Sequence, residues 1–141
     1  MSDLRITIGS LVFEGRFERE RAPRTCAAFE SMLPFEHDLL QARWSGQAAW
    51  VPLGALELGL GPEHATSYPA PGELLLYPGG VSEAELLFPY GRTRFASVAG
   101  PLAGNHFLTL TSGLEQLEVL GRLVLWEGAQ RIRIERMRAE V

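Results

Sequence analysis

Leu11-Val12-Phe13-Glu14-Gly15-Arg16-Phe17, followed through Glu18 to Arg21 by Ala22-Pro23-Arg24-Thr25-Cys26-Ala27-Ala28-Phe29, is the stretch that decides the fold. Leu11 to Phe17 reads as a strand. Upstream, Leu4, Ile6 and Ile8 alternate with Arg5 and Thr7, the period of a half-buried strand. Gly9-Ser10 supplies a tight turn, so the two runs form a hairpin. Glu18 to Arg21 is a charged, solvated connection. Pro23 then suits the first turn of a helix, where its missing N–H costs nothing. Ala22, Cys26, Phe29 and Met32-Leu33 recur at helical spacing and give that helix one apolar face, ended by Pro34.

The rest of the chain continues the pattern of short strands. Leu39 to Leu53 is strand-like and broken at Ser45-Gly46, whereas Gly54 to Gly72 is rich in Gly and Pro and reads as loop. Leu74 to Tyr77 is a strand closed by Pro78-Gly79-Gly80. Glu83 to Phe88 is another, closed by Pro89-Tyr90-Gly91. Phe107, Leu108 and Leu110 belong to a further strand. Ser112 to Glu115 has the spacing of a capping box, with Leu114, Leu117 and Leu120 on one helix face and Gly121 as the stop. Leu123 to Trp126, Glu127-Gly128 and Arg131 to Met137 read as a closing hairpin, with Ile132 and Ile134 facing one way and Arg131, Arg133 and Glu135 the other. The expectation is a single domain over residues 1–141 that is mainly β: a closed antiparallel barrel of about eight strands with two short helices at its ends.

Bulk properties narrow the function classes. A net charge of −4 gives no general attraction to nucleic acid or to an anionic membrane. All 13 basic residues are arginine, so lysine Schiff-base and lysine-base chemistry are excluded. Cys26 stands alone, which rules out an intramolecular disulfide, and its place on the apolar helix face points to a buried, inert thiol. No signal-like or membrane-length apolar run is present, so a cytoplasmic location is expected. No cofactor motif is found: Gly79-Gly80 lacks the Lys-Ser/Thr and the helix of a phosphate loop.

Several segments resemble the cyclophilin family. Ala22-Pro23-Arg24-Thr25 with Phe29 is similar to that family's first helix. Pro71-Gly72-Glu73-Leu74 is similar to the family's Pro-Gly-x-Leu, and Leu102-Ala103-Gly104-Asn105-His106-Phe107 to its Leu-Asp-Gly-x-His. Gln41-Ala42-Arg43-Trp44 falls where the family has Phe-His-Arg-Val. The resemblance therefore implies a cyclophilin-like barrel with a cleft. Arg43 would take the place of the arginine credited with prolyl isomerisation, and His106 that of a cleft-lining histidine. The chain departs from the family in three places. Val51-Pro52-Leu53 stands near the family's Gln-Gly-Gly, Ala48 at the aromatic of the proline pocket, and Pro101 at a tryptophan. The chain looks more like the short bacterial cyclophilin-like proteins of unknown function, several of which carry Arg-Trp-Ser-Gly, Pro-Gly-Glu and Gly-Asn-His-Phe segments.

Two functions are weighed on these residues. Prolyl isomerisation needs an apolar pocket and a donor that favours the twisted amide over the planar one, and Arg43 is the candidate catalytic residue. The second is binding of a small planar or carboxylated molecule in an aromatic and arginine-lined cleft, with Arg43, Trp44, Trp50, Tyr68, Tyr77, Tyr90, Arg94, Asn105 and His106 as the ligand-binding set. On that reading Trp44, Tyr90 and His106 converge. A small molecule or peptide is the expected partner, and Trp126 marks a contact for a homo-oligomer, with core burial as its alternative. No metal is expected: Glu36-His37-Asp38 and Glu63-His64 read as solvated loops. Glu83 and Glu85 share one face of their strand, where solvent exposure is the plain reading and a carboxylate at the cleft rim the alternative.

Overall fold

In a computed structural model, which describes residues 1–137, the chain runs in the order β1 (Leu4–Ile8), β2 (Leu11–Phe17), α1 (Pro23–Glu30), β3 (Phe35–Gln41), β4 (Gly46–Gly54), β5 (Ala65–Thr66), β6 (Glu73–Tyr77), β7 (Ala84–Thr93), β8 (Ala96–Ser97), β9 (Gly100–Pro101), β10 (Gly104–Ser112), α2 (Leu117–Trp126) and β11 (Gln130–Arg136). Eight strands hydrogen bond in the order β2-β1-β11-β3-β4-β7-β6-β10, and β10 pairs back onto β2. Every pairing is antiparallel, so the sheet closes into a barrel with no free edge among these eight. The short β5 extends β10, and β8 with β9 forms a separate two-stranded hairpin.

The hairpin and first helix form as their sequence dictates. Ile6 registers with Phe13 and Ile134, and all three are fully buried in the barrel. Pro23 opens α1, and Ala22, Cys26 and Phe29 bury against the barrel end, where the Phe29 and Phe107 rings lie 4.8 Å apart. The helix stops at Glu30, before Pro34. Ile132 and Ile134 face the core, and Arg131, Arg133 and Glu135 face outward.

Five local expectations are corrected. Gly121 does not stop a helix. It lies inside α2, which continues through Leu123 to Trp126, the segment read as a strand. The glycine is there because the Tyr90 ring packs against it so closely that a Cβ would overlap the ring. Ser112 and Glu115 form no capping box: the chain turns at Gly113, whose φ of 90° favours glycine, and a short 3-10 turn (Leu114–Gln116) leads into α2. Strand β7 runs on through Pro89-Tyr90-Gly91 to Thr93. Glu36, His37 and Asp38 lie in β3, paired with β11, rather than in a loop.

A second apolar cluster sits outside the barrel. Ala48, Leu75, Tyr77 and Leu87 on the outer face of β4, β7 and β6 pack with Ala42, Phe95 and Leu102, and Trp50 leans on them. The cover is the 94–102 segment. Phe95 anchors it, fully buried, with its N–H donating to Ser67 O at 2.8 Å and its ring edge-on to Tyr77. Ser45 pins the same segment: its Oγ donates to Ala96 O and accepts from Ala96 N–H. Strands β6 and β7 are therefore buried on both faces.

Candidate functional site

The outer face of β4-β7-β6 builds the site. In antiparallel pairs, residues directly opposite share a face. Trp50, Leu87 and Leu75 form one such row, and Pro52, Glu85 and Tyr77 the next. Beyond the edge of the outer apolar cluster a cavity of about 210 Å³ remains, walled by Trp50 and Glu85, by Arg43, Trp44 and Ser45 of the β3–β4 turn, by Ser82 and Glu83, and by Ala96 to Val98 of the covering segment.

Glu85 is the unexpected member. Strand alternation makes solvent exposure the plain reading for Glu83 and Glu85, with a carboxylate at the cleft rim as the alternative; Glu85 is 5% exposed and borders the cavity. The reason is the 94–102 cover, which buries the face that strand alternation alone assigns to water. Among the described residues no group hydrogen bonds to the Glu85 carboxyl, which borders the cavity. Burial, with the neighbouring charge of Glu83, pushes its pKa up to about 8. Glu83 is exposed and accepts the Gly54 N–H at 3.0 Å. Arg43 is exposed and forms no ion pair among the described residues, and Trp44 is 56% exposed at the mouth.

The other residues singled out from the sequence lie apart from this pocket or beneath it. Tyr77 is buried under its edge, with its hydroxyl oxygen accepting the Val81 N–H at 3.0 Å. Arg94 is exposed in a neighbouring groove that shares Trp44 with Arg92. Tyr90 faces the barrel interior and α2, and its hydroxyl donates to Gln41 Oε1 at 2.7 Å. Tyr68 is exposed on the loop after β5. Trp44, Tyr90 and His106 are thus not brought together.

His106 belongs to a different cluster. It registers with Leu75, three strands from Trp50, so roughly 14 Å separates the two across the sheet at ~4.8 Å per strand. Thr109 donates to Glu18 Oε2 at 2.5 Å, so its oxygen accepts from the His106 Nε2–H at 2.8 Å. His64 stacks on His106 at 4.9 Å, and its Nδ1–H donates to the His106 carbonyl at 3.0 Å. Burial holds His106 below the usual histidine range, outweighing the opposing charge of Glu73. Burial alone would raise the Glu18 carboxyl, but hydrogen bonds from Thr109 and Arg16 with the charge of His106 bring it below its ordinary value. Asn105 is buried with its amide engaged: Oδ1 accepts the Glu63 N–H, and Nδ2 donates to Thr25 Oγ1 and Gly61 O. This network fastens the 61–66 segment and α1 to β10.

Cys26 is buried, and loss of solvent pushes its thiol up to about 11, which suits an inert side chain. Glu36 and Asp38 pair with Arg133 and Arg131. Among the described residues no three His, Cys, Asp or Glu side chains gather as a metal site. Trp126 closes α2 rather than a strand and is 84% exposed. No helix among the described residues is long and apolar enough to cross a membrane.

Sequence reasoning missed the depth of Glu85 and the part played by Ser45. The signal was present in Leu74-Leu75-Leu76 and Leu86-Leu87-Phe88, unbroken apolar runs that mark strands covered on both faces.

The profile of a family described as "Protein of unknown function (DUF3830)" matches residues 4–136. No curated protein matches the chain. Among solved structures it is similar to that of McbB in complex with tryptophan, with a TM-score of 0.64 and 15% identity. The match covers 98% of this chain and 46% of McbB, so the chain spans about half the length of that protein. At this identity the likeness establishes the barrel fold alone.

Proposed function

The chain belongs to the DUF3830 family, whose function is unknown, and we propose that it binds a small molecule in the pocket over Glu85. One observation carries this reading. Glu85 is buried, opens on a cavity between two tryptophans, and has no hydrogen-bond partner among the described residues. The carboxyl oxygens are open to the cavity, where a hydrogen-bond donor of a ligand can reach them. The volume of about 210 Å³ lies below the ~300–1,000 Å³ of drug-sized ligand pockets, which suits a compact ligand rather than a peptide.

Prolyl isomerisation is less well supported. It asks for an apolar, proline-sized pocket beside Arg43. The space beside Arg43 instead contains Glu83 and Glu85, and His106 stands three strands away.

Crystals soaked in a mixture of small cationic, neutral and anionic fragments test the binding reading. Density between Trp50, Glu85 and Ser97 is the expected result. Fragments found only in other grooves overturn it.

A further inference from the structure

Resting on the binding reading above, we infer that the ligand is a small organic amine, its ammonium seated on the Glu85 carboxyl and its carbon skeleton against the Trp50 and Trp44 indoles. The inner wall of the pocket offers acceptors. An ionised carboxylate only accepts hydrogen bonds, and both Glu85 oxygens lack a donor among the described residues. Glu83 adds a second carboxyl, of which Oε2 is already held by the Gly54 N–H. The one cationic side chain in the wall, Arg43, is exposed and pairs with neither carboxyl. An anion placed against Glu85 keeps the acid neutral and gains no ion pair there. A cation draws the acid into its carboxylate form and pairs with it.

The aromatic walls point the same way. An ammonium beside an indole face is attracted by the ring quadrupole, and the attraction grows as water is excluded. A divalent metal is a poorer fit, because among the described residues no third acid, histidine or cysteine joins Glu83 and Glu85.

Binding an ammonium also has a proton balance. The titratable or charged groups facing Glu85 are Tyr77, opposite it on β6, Glu83, which disfavours its ionisation, and Arg43 at the wall. With a pKa of about 8, Glu85 is about nine-tenths protonated at pH 7. An arriving ammonium favours the carboxylate, so R–NH3⁺ and the carboxylic acid become an ion pair and the acid proton passes to the buffer.

Calorimetric titration of the full chain at pH 7 tests this, in two buffers of different ionisation enthalpy. Benzylamine is the probe, with benzyl alcohol as its neutral counterpart and benzoate as its anionic one. The expected result is benzylamine binding at least tenfold tighter than either, with nearly one proton released per ligand. Glu85→Gln, which keeps the size of the side chain and removes its charge, should weaken benzylamine at least tenfold and abolish the proton release. Tighter binding of benzoate, or unchanged benzylamine affinity in Glu85→Gln, overturns the amine inference and leaves the pocket reading standing. If none of the three probes binds while soaked fragments occupy the pocket, the amine class alone falls. An empty pocket in both experiments removes both readings.

Discussion

Replacing Glu85 by glutamine should change the way stability depends on pH. In the folded protein the carboxyl titrates near pH 8, against an ordinary value of 4.5. The folded state therefore keeps a proton that the unfolded chain releases. A raised carboxyl contributes stability that is fully present below pH 4.5 and is lost as pH rises through about 8. At ~1.36 kcal/mol per pH unit of separation, the wild type loses about 3 kcal/mol from this group between pH 4.5 and 7, and close to 5 kcal/mol by pH 9. Glutamine does not titrate, so Glu85→Gln lacks this term. Urea denaturation of both proteins at pH 4.5, 7 and 9 measures the difference directly. The variant should gain on the wild type by about 3 kcal/mol between the first two points. A gap that stays constant with pH, or that narrows, would refute the buried neutral acid.

Other perturbations reach the remaining parts of the structure. Phe95→Ala removes the anchor of the 94–102 cover and should cost ~3–5 kcal/mol in denaturant unfolding, with faster amide exchange at Ala96 and Leu102. Gly121→Ala pushes a methyl into the Tyr90 ring and should destabilise by ~1–3 kcal/mol despite alanine's better helix propensity, and Gly121→Ala with Tyr90→Leu should recover part of that loss in the same assay. Hydrogen bonds from Arg19 and Arg136 hold the Glu30 carboxyl at about 2, so the stability it adds is present above pH 4.5 and lost as pH falls towards 2. Glu30→Gln should flatten the acid limb of the stability curve in that window, read by thermal unfolding across the pH series.

The barrel was largely legible in the sequence because its strands obey simple rules. The Leu4-Ile6-Ile8 alternation, the Gly9-Ser10 turn, the Pro23 helix start and the Ile132-Ile134 face all have their expected places. The failures have a common cause in tertiary contacts that local pattern does not encode. Gly121 read as a stop because a glycine in a helix is costly, but its reason is the Tyr90 ring arriving from β7. Glu85 read as exposed because alternation assigns it to the outer face; the unbroken Leu86-Leu87-Phe88 run signals that this face is covered, but not that residues 94–102 are the cover. Arg43, proposed from the family resemblance, and Trp44 and Trp50, proposed as aromatics of the segments around a cleft, stand together in the wall of one cavity. Tyr90 and His106, linked to them only by residue type and resemblance, lie on the inner face and three strands away.

The three tryptophans allow the pocket itself to be watched. Trp44 and Trp50 line it, whereas Trp126 stands exposed at the end of α2. In ¹H–¹⁵N spectra each indole N–H gives its own resonance, and the most direct measurement follows all three while small fragments are titrated. Saturable movement of the Trp44 and Trp50 signals together, with Trp126 still, is the expected outcome. Indole signals that all stay fixed, or a Trp126 shift as large as the other two, would contradict a ligand site over Glu85.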